Sequence, residues 1–182
     1  MRLIVAITGA SGIIYGKRFL EELKKRDFEV HLIVSDAAEK VAKAELGDVD
    51  WPSLASHVYK PDELTAPIAS GSFPVDAMVI VPATMKTIGA LAVGYCDDLI
   101  SRAADVQLKE GRDLMIVPRE TPLHAIHLEN MAKLNRMGVT ILPAMPAFYH
   151  KPETVDDLIN FIVGKMLDQL GVEHDLFRRW GS

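Results

Sequence analysis

Residues 2–16 read Arg2-Leu3-Ile4-Val5-Ala6-Ile7-Thr8-Gly9-Ala10-Ser11-Gly12-Ile13-Ile14-Tyr15-Gly16. An unbroken apolar run ends at Thr8-Gly9, and a helical period begins at Ile13. Such a short run, polar on neither face, is the pattern of a parallel strand covered on both sides. The small residues between strand and helix let the backbone turn tightly. Successive N–H groups and the helix start can then face an anion, and Ser11 adds a hydroxyl. Two readings stand for this turn: a phosphate cradle, or a tight strand–helix connection with no ligand.

Outward from this unit the pattern recurs. Further short Val- and Ile-rich runs at 29–34, 77–81, 114–117 and 139–142 predict strands. Helical periods cover 13–25, 37–44, 85–93, 100–109, 122–137 and 155–170. In the first of these, Ile13, Ile14, Phe19, Leu20 and Leu23 share a face, while Glu21, Glu22, Lys24 and Lys25 are expected to face water. Thr154 can cap the last helix, with Asp156 and Asp157 in its first turn. This alternation predicts an α/β fold of three layers, a doubly wound and mostly parallel sheet. Residues 51–74, with four prolines and Ala69-Ser70-Gly71-Ser72, break the rhythm. They are either a binding loop or a surface excursion with a short strand near 57–59.

The chain's 182 residues suit one domain, with a tail at 171–182 that docks on the domain or on a neighbour. Hydrophobic residues are 49% and charged residues 25%, enough for a core and against disorder. Twenty basic and 25 acidic side chains leave −5, so no electrostatic footprint for nucleic acid is expected. One cysteine, Cys96, excludes a disulfide framework and a Cys-rich metal site. No apolar run approaches the ~18 residues of a membrane span, and 3–7 is too short for a signal-peptide core. A cytoplasmic protein with no membrane partner is the expectation. The six histidines show no metal spacing along the chain, so no metal site is expected.

Three further clusters carry candidate chemistry. Val81-Pro82-Ala83-Thr84-Met85-Lys86-Thr87 follows the 77–81 strand, and Thr84 is either a ligand contact or a plain helix cap. Arg119-Glu120 follows the 114–117 strand, at the edge where open α/β sheets bind ligands, with Lys109 upstream. Cations there suit phosphate and a carboxyl can move a proton, yet an Arg–Glu pair can also be a structural salt bridge. Pro143-Ala144-Met145-Pro146-Ala147-Phe148-Tyr149-His150 brings a phenol and an imidazole to the same edge. The glycine turn resembles that of short-chain dehydrogenases. However, Tyr15, Tyr59, Tyr95 and Tyr149 are followed four residues on by Phe19, Glu63, Leu99 and Glu153, never by the lysine those enzymes need.

In series, these motifs resemble the UbiX-type flavin prenyltransferases. The matching segments are Ile7-Thr8-Gly9-Ala10-Ser11-Gly12 with Tyr15-Gly16, Ser70-Gly71-Ser72-Phe73, Arg102-Ala103-Ala104-Asp105-Val106 and Leu108-Lys109-Glu110. Arg119-Glu120-Thr121-Pro122-Leu123-His124, residues 143–150 and Leu176-Phe177-Arg178-Arg179-Trp180 complete them over almost the whole chain. The resemblance implies a flavodoxin-like or Rossmann-like homo-oligomer, typically a dodecamer, that binds FMN. It also implies transfer of the dimethylallyl group of dimethylallyl monophosphate to reduced FMN at N5 and C6, without metal. The product serves a UbiD-type decarboxylase. By position, the resemblance assigns FMN contacts to Gly9, Ala10, Ser11, Ser35, Thr84, Met85, Lys86, Thr87 and Arg119. It assigns the prenyl-phosphate site to Lys109, Glu120, Tyr149 and Lys165, with catalytic roles for Ser11, Glu45, Lys109 and Glu120, Glu45 being an acidic partner near Ser11. Several such residues come from adjacent subunits in this family. Ala83-Thr84 replaces a common Cys-Ser pair, and Lys165 stands where arginine is common, losing a bidentate fork. An FMN-dependent cysteine decarboxylase and a flavin carrier are the competing functions.

Overall fold

The computed structural model describes residues 1–181. Among them six strands form one sheet: β1 (Arg2–Ile7), β2 (Glu29–Val34), β3 (His57–Tyr59), β4 (Ala77–Ala83), β5 (Asp113–Pro118) and β6 (Thr140–Ile141). Every pairing is parallel, in the order β3-β2-β1-β4-β5-β6. The sheet is therefore wholly parallel rather than mostly so. Helices α1 (Ile13–Lys24), α2 (Asp36–Leu46), α3 (Met85–Val93), α4 (Leu99–Lys109), α5 (Ala125–Arg136) and α6 (Val155–Gln169) cover it.

The two-residue period of β1 divides the core into two layers. Leu3, Val5 and Ile7 pack with α1, α2 and α6, whereas Ile4 and Ala6 pack with α3 and α4. All five are fully buried, which is why the strand shows no polar alternation. The chain runs outward from β1 through β2 to β3. It then returns to lay β4 on the other side of β1 and runs outward again. The crevice beyond the carboxyl ends of β1 and β4 is thus the topological switch point, where such sheets bind ligands.

Several boundaries depart from the periodicity. β4 continues through Pro82 to Ala83, where, after a register shift between Ile80 and Ala83, Ala83 pairs with Pro118; the Val81-Pro82 peptide is cis. α5 begins at Ala125 rather than at 122; Thr121-Pro122 is also cis, and His124 at the helix start makes no side-chain cap. Residues 51–74 contain the edge strand β3 and two single-turn helices, Trp51–Leu54 and Pro67–Ala69. Thr154 does cap α6, in a reciprocal box with Asp157.

Glu22 is the clearest correction on α1. The helical period lets it face water, but it is only 3% exposed. It adjoins Leu23 and lies one turn from Phe19, so the flank of the apolar face takes it in. Arg18, Lys25 and Arg26 surround its carboxylate. Burial alone would raise its pKa, but the hydrogen bonds from Lys25, Arg26 and Arg18 prevail and bring it down to about 2.

Candidate functional site

Thr8 fastens the two turns of the switch point together. It is buried, its hydroxyl donates to the Pro82 carbonyl at 2.7 Å, and its oxygen accepts from the Thr84 N–H at 2.9 Å. Ser35 begins α2 and accepts from the Ala38 N–H at 3.1 Å. Thr84 begins α3, accepts from the Thr87 N–H at 3.2 Å and shares a 3.0 Å hydrogen bond with the Thr87 hydroxyl. Ser35 and Thr84 are therefore helix caps, and capping leaves Thr84 on the cleft wall. A cleft of about 300 Å³ opens here, lined by Thr8, Gly9, Ser35, Thr84, Lys86 and Thr87, with Asp36 and Asp98 also in its wall.

This lining suits FMN. The amino ends of α2 and α3 turn their positive dipole ends toward the cleft, and the exposed ammonium of Lys86 adds charge for a phosphate. Gly9 has to be bare: a Cβ there would lie 2.5 Å from the Ala37 Cβ and 3.1 Å from its carbonyl carbon. Ala10 is buried, so only its backbone can meet a ligand, and Met85 packs partly into the core at the first position of α3.

The start of α1 meets a carboxylate of the chain itself. The N–H groups of Gly12 and Ile13 donate to the Glu45 carboxylate, all at 3.0 Å. The anion at this helix start is therefore a side chain of the protein itself, from the last turn of α2. Gly12 sits at φ 96°, a left-handed conformation that favours glycine. Glu45 thus meets the two residues after Ser11, and Ser11 itself is exposed.

Arg119 joins the turn after β5 to the turn after β1, its Nε donating to the Ser11 carbonyl at 2.9 Å. Burial raises the pKa of the nearby Tyr15 phenol, against a smaller opposing effect from Arg119. Glu120 is exposed and accepts from the N–H of Thr121 at 3.0 Å. Among the described residues no ion pair links Arg119 with Glu120, so the pair is not a salt bridge that merely staples the loop.

Tyr149 and Lys165 lie in a separate cluster built by the tail. Tyr149 meets Trp180 edge-on at 5.4 Å and Phe161 at 5.9 Å. Asp168 accepts from Lys165 at 3.2 Å and from Arg179 at 2.9 Å, and His174 lies at 3.2 Å. Burial pushes the Asp168 carboxyl up, but the Arg179 and Lys165 hydrogen bonds outweigh it and hold the pKa below the usual range. Asp168 was not singled out from the sequence; as one of several carboxylates on α6 it had no distinguishing signal. Thr8 was within a quoted motif, and its position between strand and glycine was the available clue.

Lys109 is not brought to the cleft within one chain. Asp98, which caps α4, lines the cleft, and α4 then rises away from it for 11 residues, about 16 Å. Lys109 ends beside Glu110, with which it pairs, close to Gly71.

A helix-flanked parallel sheet with this cleft at its switch point belongs to a flavin-binding architecture, and residues 1–167 match the family model described as Flavoprotein. A curated relative, flavin prenyltransferase UbiX of Methanocaldococcus jannaschii, is 53% identical, covering 100% of both chains. The solved AnUbiX (PadA1) in complex with FMN and dimethylallyl pyrophosphate is 45% identical, with a TM-score of 0.96 over 100% of this chain and 97% of its own. A dodecameric FMN-dependent UbiX-like decarboxylase from Escherichia coli O157:H7 is 46% identical, with a TM-score of 0.97 over 100% of both chains. The chain belongs to the flavoprotein family and, within it, to the UbiX flavin prenyltransferases. Among the described residues no helix is long and apolar enough to cross a membrane.

Proposed function

We propose that this protein is a flavin prenyltransferase that joins the dimethylallyl group of dimethylallyl monophosphate to reduced FMN. The observation that carries the reading is the switch-point cleft with Arg119 and Glu120 after the adjoining strand, in a chain matching a flavin prenyltransferase along its full length. Reduced FMN supplies the nucleophilic ring positions, N5 and C6. Gly9, Ala10, Ser11, Ser35, Thr84, Met85, Lys86, Thr87 and Arg119 hold the flavin. Lys109, Glu120, Tyr149 and Lys165 hold the prenyl phosphate. As the allylic C–O bond breaks, charge grows on the departing phosphate, and the ammonium groups of Lys109 and Lys165 stabilise it. Glu120 gives that phosphate a proton. Tyr149 and Trp180 present aromatic faces to the electron-poor allyl group and exclude water. Glu45 sets the turn that carries Ser11 through its bonds to Gly12 and Ile13.

Lys109 reaches this chemistry only from a neighbouring copy. The working enzyme is accordingly a homo-oligomer, a dodecamer in this proposal, and its product passes to a UbiD-type decarboxylase in the cytoplasm. The test is anaerobic incubation with reduced FMN and dimethylallyl monophosphate, followed by mass analysis of the flavin. Gain of one five-carbon unit supports the proposal. FMN bound but unmodified would identify a flavin carrier, and carbon dioxide released from a cysteine-terminated peptide would identify a cysteine decarboxylase.

A further inference from the structure

Glu29, His31 and His57 meet on one face of the sheet, on the two strands at its β3 edge. Glu29 and His31 are two residues apart on β2 and so point to the same side, and the parallel register places His57 opposite His31. His31 is 2% exposed, and its ring stacks on that of His57 at 4.6 Å with Phe73 edge-on at 5.2 Å. Its Nε2 lies 3.1 Å from a Glu29 carboxylate oxygen, and its Nδ1 lies 2.9 Å from the Tyr59 hydroxyl. One ligand atom from each of the three residues falls within 4.8 Å of the other two.

We propose that Glu29, His31 and His57 form a binding site for a divalent transition ion of the zinc class, distinct from the flavin cleft. Two imidazoles and a carboxylate are a donor set such ions take, with bonds of about 2.0–2.1 Å and tetrahedral ligand separations of about 3.3 Å. The Glu29–His31 separation already meets that spacing. His57 is exposed on the edge strand and supplies the remaining approach by side-chain rotation. The Tyr59 hydroxyl fixes the orientation of the His31 ring from behind, as an outer-sphere partner does at metal sites, and leaves Nε2 toward the carboxylate. Arg2 is the competing cation, its Nε 2.9 Å from the same Glu29 oxygen. It is also anchored by the Pro74 carbonyl at 2.9 Å and over the Phe73 ring at 4.6 Å, so it keeps its place when the carboxylate turns to an ion. An ion here would pin the three-residue strand β3 to β2.

The test uses untagged, FMN-loaded, full-length protein, stripped with a chelator and titrated with Zn²⁺ against a chromophoric competitor. Uptake of one Zn²⁺ per chain is expected. His57→Ala and Glu29→Gln should each weaken it at least tenfold, and Tyr59→Phe should weaken it about 10–100-fold. FMN content should not change. Zn²⁺ should also raise the thermal midpoint of the parent but not of His57→Ala, because only a folded-state site stabilises. His124→Ala controls for the other close imidazole pair, His124 and His127, whose ring centroids are 3.5 Å apart, and should leave uptake intact. Absence of stoichiometric uptake, uptake unaltered in His57→Ala, or uptake abolished in His124→Ala would overturn the proposal.

Discussion

Replacing Glu120 by glutamine separates proton delivery from structure. Glu120 is exposed and holds the Thr121 N–H through one oxygen, which the glutamine amide can replace. No ion pair to Arg119 is lost, so the stability change should stay within about 0.5 kcal/mol. FMN affinity should be nearly unchanged, since the residue is assigned to the prenyl phosphate. Loss of the transferable proton should slow prenyl transfer by roughly 10²–10⁴-fold, a barrier increase of about 3–5 kcal/mol. Arg119→Ala is the contrasting variant. It removes the 2.9 Å bond to the Ser11 carbonyl and loosens the turn that holds flavin. A charged hydrogen bond contributes about 1.5–3 kcal/mol when buried; discounted for partial exposure, its loss should weaken FMN binding about tenfold. Arg119→Lys should not restore affinity, because an ammonium lacks the guanidinium's directed Nε–H. The assays are flavin fluorescence titration, thermal midpoint and anaerobic single turnover. An unchanged single-turnover rate in Glu120→Gln would refute the acid role. A midpoint lowered by several degrees with an intact rate would make Glu120 scaffold.

Gly9→Ala should cost about 1–3 kcal/mol and weaken FMN binding, because its Cβ meets Ala37 at 2.5 Å. Adding Ala37→Gly should recover part of both losses, and strict additivity in midpoint and FMN titration would show that the two residues do not touch. Lys109→Ala and Glu120→Gln should each be nearly inactive alone, yet refolding them together should restore activity through mixed sites. Absence of complementation in co-refolded samples that do form mixed oligomers would place Lys109 and Glu120 in the same subunit's site. The Glu22 carboxyl has a folded pKa of about 2 against an ordinary 4.5, so its contribution is fully present above about pH 5 and is lost as pH falls toward 2. That contribution is on the order of 3 kcal/mol, and Glu22→Gln should flatten the acid limb of a stability profile measured by chemical denaturation.

The sheet was legible because each central strand is buried on both faces and therefore carries no polar alternation. Strand ends were less so: Pro82 reads as a breaker, yet it lies within β4. Glu22 reads as solvent-facing because charge is averaged with its neighbours, and only the helix's angle to the sheet shows that its flank is covered. The cleft residues were legible from the turns after β1 and β4, but their linkage through Thr8 depends on which strands are adjacent. Periodicity likewise does not reach the Glu45 contact, 33 residues from Gly12, which only the family resemblance puts near Ser11, or the meeting of His31 with His57. Periodicity identifies an element but not its neighbour, and polar sites are built between neighbours.

Two features of the single chain that look unrelated have one explanation under the proposed assembly. Lys109 lies about 16 Å along α4 from the cleft to which its chemistry belongs. Helix α5, which begins just after the Arg119–Glu120 turn, fully buries only Leu134 and leaves Ile126 62% and Leu128 52% exposed. A helix this apolar on its outer side is not completed by its own core. If a neighbouring copy covers α5, its surface comes close to the Arg119–Glu120 turn, where an added cation would be useful. The same burial that completes the helix can then deliver the lysine. Charged or bulky substitutions at Ile126 or Leu128 should consequently lower prenyl transfer and oligomer size together while sparing the fold of the chain. Far-ultraviolet circular dichroism, sizing and single-turnover measurements on Ile126→Glu would expose the opposite outcome, a dissociated chain with full activity, which would return Lys109 to an unassigned surface charge.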